Sequence, residues 1–112
     1  MHDEPAVPPG MQRYYLCFLR PGPAYTTEES PELARLHAAH LAHLTALLQA
    51  GHSLVSGPVL DASDLRGLTI FCTASRAEAA TLAAQDPAVQ AGRFVVEIYP
   101  LLVPAGILPG AA

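Results

Sequence analysis

The sequence predicts an α+β domain with the element order β-α-β-β-α-β. Three observations carry this. Two runs, QRYYLCFLR at 12–20 and LTIFCT at 68–73, are rich in apolar and aromatic residues and read as buried strands. Residues 31–50 repeat their leucines at helical spacing and stop before Gly51. A capping-box pair, Ser75 and Glu78, opens a second helix, and RFVVEIY at 93–99 follows it as another strand.

Residues 1 to 11, with the stretch MHDEPAVPPG, read as a disordered tail that is acidic and proline-rich. The first strand ends at Pro21-Gly22-Pro23, and residues 24–30 form a polar loop. Ser30 then supplies an N-cap, Pro31 sits at the first helical position, and Glu32 favours the positive end of the helix dipole. The second strand, HSLVSGPVL at 52–60, is interrupted by Ser56-Gly57-Pro58, which predicts an edge position or a bulge. DASDLRG at 61–67 is a loop before the third strand. Asp86-Pro87 ends the second helix near Gln85, and residues 87–91 make one short turn closed by Gly92. The tail after Pro100 is punctuated by Pro and Gly yet apolar. One domain is expected over residues 12–103, with a C-terminal tail at 104–112 that packs on a partner subunit.

This order is the ferredoxin-like arrangement of an antiparallel-type sheet. Its usual strand order, 4-1-3-2, makes the first and third strands central, and those are the apolar runs here. Both helices cover one sheet face, so the other needs a partner. Two such sheets packed face to face form a barrel-like homodimer. The composition agrees: 51% of the 112 residues are hydrophobic, a surplus for so short a chain.

Net charge is −4, with six arginines and no lysine, so nucleic acid and anionic membrane surfaces are not expected partners. No run approaches the roughly 18 apolar residues of a membrane span. The N-terminus has neither the basic nor the apolar region of a signal peptide, and a cytoplasmic location is expected. Cys17 and Cys72 each lie within an apolar strand and read as buried, reduced thiols.

The long helix carries the first candidate chemistry. At about 100° per residue, Leu33, Leu36, Leu44, Leu47 and Leu48 fall in one arc, with His40 at its centre, His37 inside it and His43 at its edge. Burying an imidazole without a partner costs about 1–3 kcal/mol, and leucine would be cheaper there. Either His40 is a core histidine satisfied by a carbonyl or hydroxyl, or it faces a cavity as a general acid or base oriented by a carboxylate. A metal or haem site on His37, His40 and His43 is not expected: the metalloprotease pattern needs i, i+4 histidines with a glutamate between them, and alanine and leucine fill the gaps here. No cofactor is implied.

The strand YYLCFLRPGP, the helix run AHLAHL, the break AGHSLVSGP, the loop DLRG and the stretch QDPAVQAGRFVVEIYP together carry a resemblance. In their order and spacing, from Met11 to about Val103, the chain resembles the YCII-related (YciI-like) proteins, which have the dimeric α+β barrel fold. The resemblance implies a His–Asp pair as the active site, matching His40 and Asp86, and a Gly-Pro break matching Gly57 and Pro58, with Ser56 before them. It also implies enzyme activity in many members, including a dehydrochlorinase acting on a chlorinated hydroxyquinol. Asp86 has a second reading, as N-cap of the short turn at 87–91; one oxygen can cap while the other faces His40.

The expectation is therefore a small-molecule lyase or isomerase with a His40–Asp86 acid/base pair and an aromatic or cyclic substrate. Ser56, Gly57, Tyr15, Arg66, Arg93, His37 and His43 are its candidate substrate-binding residues. The alternative is a ligand-binding or accessory domain that uses the same pocket without turnover.

Overall fold

The computed structural model describes residues 4, 6–61 and 63–108. Strand β1 (Met11–Pro21) leads through a loop to helix α1 (Pro31–Gln49). Then come β2 (Ser53–Pro58), β3 (Gly67–Phe71), α2 (Arg76–Ala84), the one-turn α3 (Pro87–Gln90) and β4 (Phe94–Pro104). The strands form one sheet in the order β2-β3-β1-β4, antiparallel throughout, so β1 and β3 are central as their apolar sequences require. No helix among the described residues is long and apolar enough to cross a membrane.

The caps read from the sequence form as expected. Ser30 Oγ accepts from the Leu33 amide at 3.0 Å and Ser75 Oγ from the Glu78 amide at 3.1 Å. Glu78 reaches back, but to the Ala74 amide (3.0 Å) rather than to that of Ser75. Gly51 and Gly92 take the left-handed conformation (φ +79° each) that ends α1 and α3.

Odd-numbered β1 residues point under the helices. Tyr15 and Cys17 join Phe71, Ile98, Leu47, Ala79 and Ala83 in one buried cluster. The alanines let α2 lie close on the sheet. At the far end of β1 the backbone itself is close-packed: a Cβ on Gly22 would stand 2.3 Å from the Gly92 carbonyl oxygen, so only glycine fits. That contact ties the β1–α1 loop to the start of β4, through Gly22 N–H to Arg93 O (2.7 Å) and Ala24 N–H to Gly92 O (2.8 Å).

Three expectations need correction. β4 does not stop at Tyr99; it pairs with β1 as far as Pro104, opposite Met11. β4 is an edge strand, where a proline whose nitrogen points away from β1 removes no ladder bond, so Pro100 does not end it. β2 is an edge strand too, but its irregularity falls between Ser53 and Val55, and Ser56, Gly57 and Pro58 pair regularly with β3. The apolar arc of α1 is also narrower than its helical wheel. His40 and Leu47 are buried, while Leu48 is 52% exposed, because a cavity opens beside the helix where sheet contact was expected.

The opposite sheet face carries Leu16, Phe18, Ile70, Val55, Val95 and Tyr99. Phe18 and Tyr99 rings meet at 5.8 Å between centroids, and Arg20 pairs with Glu97 at 2.6 Å. No helix among the described residues covers this face, and Val55, Val95 and Tyr99 are among its exposed large apolar residues.

Of the tail expected at 1–11, residues 1–3 and 5 lie outside the described residues. Glu4 accepts from the Tyr15 hydroxyl (2.7 Å) and from the Arg76 amide (2.6 Å), and Met11 opens β1. Residues 109–112 of the expected C-terminal tail also lie outside the described residues, while Tyr14 Oη donates to Leu108 O at 3.3 Å.

Candidate active site

His40 and Asp86 are 46 positions apart in sequence and meet between α1 and α3. The helical wheel directs His40 inward. The Asp-Pro step at the end of α2 places Asp86 in extended backbone at the N-cap of α3. His40 Nδ1 lies 2.6 Å from Asp86 Oδ2, with His40 8% and Asp86 3% exposed. Asp86 Oδ1 accepts from the Ala88 amide at 2.9 Å, so the side chain caps the turn and holds the imidazole together.

A carboxylate accepts only, so the neutral imidazole carries its proton on Nδ1 and leaves the Nε2 lone pair free. The ring borders a cavity of about 620 Å³, within the size range of small-molecule sites. The cavity lies between α1, the β1–α1 loop and the ends of the strands, and its walls are mostly apolar: Leu19, Leu41, Leu44, Leu48, Val59 and Phe94. Phe94 stacks obliquely near His40, with ring centroids 5.6 Å apart.

Six of the nine residues singled out in the sequence border this one cavity: His37, His40, Ser56, Gly57, Arg66 and Arg93. Asp86 stands behind His40. Ser56 Oγ and Thr69 Oγ1 are 2.8 Å apart across β2 and β3, so one hydroxyl donates to the other and the second keeps a proton for a ligand. Arg93 lies over the Tyr25 ring (4.6 Å) and the Phe94 ring (5.2 Å) and donates to Thr26 O at 2.7 Å. Arg66 donates to Asp61 O at 3.1 Å and to Ser63 O, while its buried Nε has no acceptor among the described residues.

Two candidates are placed elsewhere. Tyr15 is fully buried in the core, where burial and the Glu4 carboxylate hold its phenol above the ordinary value. His43 turns to the Leu82 carbonyl at 3.0 Å and ties α1 to α2. No group of three or more His, Cys, Asp or Glu side chains among the described residues could hold a metal ion.

The sequence reading missed Tyr25 and Phe94. Tyr25 is the single aromatic residue in an otherwise polar loop, and that was its signal. Phe94 gave none beyond its strand.

The model of the YCII-related domain matches residues 14–102. The chain belongs to this family. No curated protein matches the sequence. Among solved structures, this YCII-related domain is similar to the 5-chloro-2-hydroxyhydroquinone dehydrochlorinase TftG from Burkholderia phenoliruptrix AC1100, in complex with 2,5-dihydroxybenzoquinone. The TM-score is 0.56 at 26% sequence identity, over 77% of this chain and 90% of that one.

Proposed function

We propose that this YCII-related domain is a cofactor-free lyase or isomerase acting on a small cyclic or aromatic substrate, with His40 as general acid/base and Asp86 as the residue that positions it. The observation that carries the proposal is the 2.6 Å His40–Asp86 contact beside a cavity of ligand size. Its likeness to a dehydrochlorinase supports an elimination. Nε2 takes a proton from the substrate, and the electron pair left behind forms a new double bond. The leaving group departs with its own bonding pair. Asp86 stabilises the imidazolium formed, which then returns its proton to solvent. An isomerase uses the same two groups and returns the proton to a different substrate atom.

The functional unit in this proposal is a cytoplasmic homodimer. The uncovered sheet face, with Phe18 and Tyr99 in contact on it, meets the same face of a second copy, in the manner implied by the dimeric α+β barrel.

Chloride release from a chlorinated hydroxyquinol tests the chemistry. The purified chain should release chloride, and His40→Gln should slow release by about 100-fold or more. No release by the unaltered chain would end the elimination proposal for this substrate class. Equal rates for the two proteins would remove His40 from it.

A further inference from the structure

The permanently charged side chains that border the cavity among the described residues, Arg66 and Arg93, have the same sign. The chain is acidic overall, at −4, yet the cavity is bordered by Arg66, Arg93, His37 and His40 and by no Asp or Glu among the described residues. The nearby carboxylate of Asp86 is 3% exposed and already engaged by the His40 ring and the Ala88 amide.

The two arginines come from equivalent places. Arg66 immediately precedes β3 and Arg93 immediately precedes β4, on either side of the central β1. Their backbones are fixed: Arg66 N–H donates to Leu19 O (2.8 Å), and Arg93 O accepts from Gly22 N–H (2.7 Å). Glu29 shares a smaller recess of about 200 Å³ with Arg93 and His37, but no carboxylate among the described residues lies within ion-pair distance of the Arg93 guanidinium. The guanidinium instead rests on two aromatic rings, and one of these, Phe94, also meets His40. A cation placed over ring faces at the border of an apolar cavity suits an ionised oxygen attached to a flat molecule.

We infer that the cavity takes an organic anion: a planar ring bearing a carboxylate or an ionised hydroxyl, whose charged oxygen is held by Arg93, with Arg66 adding a second positive charge. Arg93 is then the residue that sets charge specificity, and Leu41, Leu44 and Leu48 receive the apolar part of the ligand. The inference rests on this cavity being the ligand site proposed above, but not on His40 being catalytic.

Binding without turnover tests it, by calorimetry on the full chain with two matched pairs of probes. Benzoate is compared with benzamide, and 4-nitrophenolate with 4-nitroanisole at mildly alkaline pH. At least one anion should bind about tenfold more tightly than its neutral partner, and the preference should shrink as salt is raised. The pair that responds tells a carboxylate site from an ionised-hydroxyl site. Arg93→Gln should abolish the preference while neutral-probe binding persists, which shows that the variant is folded, and Arg93→Lys should restore part of it. Equal binding within both pairs, no measurable binding of any probe at millimolar concentration, or an undiminished preference in Arg93→Gln would overturn the inference. Anion preference that survives in His40→Gln, alongside unchanged chloride release in that variant, would leave the inference standing while the catalytic proposal falls.

Discussion

Asp86 holds two partners at once: Oδ2 lies 2.6 Å from His40 Nδ1, and Oδ1 lies 2.9 Å from the Ala88 amide. One side chain therefore sets both the start of α3 and the proton arrangement of the imidazole. Asparagine separates these functions. In Asp86→Asn the amide oxygen can still cap Ala88, but its NH₂ faces Nδ1 and drives the ring proton to Nε2. We expect near-normal stability with turnover lowered by about 10²–10⁴-fold. Nitrogen NMR of the His40 ring should show the change of tautomer. An unchanged tautomer would contradict the assignment of Asp86 as the positioning group.

Replacing His40 alone should be costly for a different reason. His40→Leu leaves the Asp86 carboxylate buried with only the Ala88 amide, and breaking a buried pair in this way costs about 3–5 kcal/mol. Adding Asp86→Ser removes the stranded charge and keeps a capping oxygen. Urea denaturation should find the double variant clearly more stable than His40→Leu. If the single variant is already as stable as the parent chain, the pair contributes nothing to the fold.

The uncovered sheet face predicts assembly. Phe18→Asp places a charge in the middle of that face, next to Tyr99 and two residues from Arg20, without touching the helix side. Light scattering on the eluted protein should show a dimer for the parent chain and a monomer for the variant. A monomeric parent chain would leave the apolar face without the proposed occupant.

Cys17 gives a pH dependence. Burial, and then the negative charge of Asp86, push its thiol from 9.0 up to about 12. Above pH 9 the unfolded chain loses this proton while the folded chain keeps it. Stability is therefore fully present below pH 9 and falls as pH rises toward 12, at up to ~1.4 kcal/mol per pH unit. Between pH 9 and 10, below the ordinary titration of tyrosine, Cys17→Ala should show a shallower loss in denaturation midpoints. The folded chain should also resist alkylation at Cys17 at pH 8.

Much of the fold was legible because local signals agreed with one another. Ser30-Pro31, Ser75 with Glu78, and Asp86-Pro87 each marked a helix start that the structure keeps. The apolar content of β1 and β3 anticipated their central places. The expected strand order already places β4 at an edge, but the end of the strand still reads too early, because proline breaks a strand only where its nitrogen must donate, and no local signal shows which way the Pro100 nitrogen faces. At the site, His40 was visible as a polar residue at the centre of an apolar arc. Its contact with Asp86 was foreseen through the family resemblance, since nothing local joins residues 46 positions apart. The cavity itself was not legible. A helical wheel cannot tell a leucine packed on a sheet from one facing empty space, so it groups the half-exposed Leu48 with the buried Leu47. Tyr15 and His43 likewise carry chemistry in principle, yet strand parity and helix rotation place one in the core and the other against Leu82.

The long helix therefore has two apolar sides with different duties. Leu47 anchors it to the sheet, whereas Leu41 and Leu48, at 48% and 52% exposure, border the cavity and carry little of the fold. Substitutions at these two positions can reshape the chamber while leaving the His40–Asp86 pair and the hydrophobic core untouched. If the proposed ligand site is the working one, a scaffold of this kind can exchange one guest for another by single steps at positions that bury little of the core.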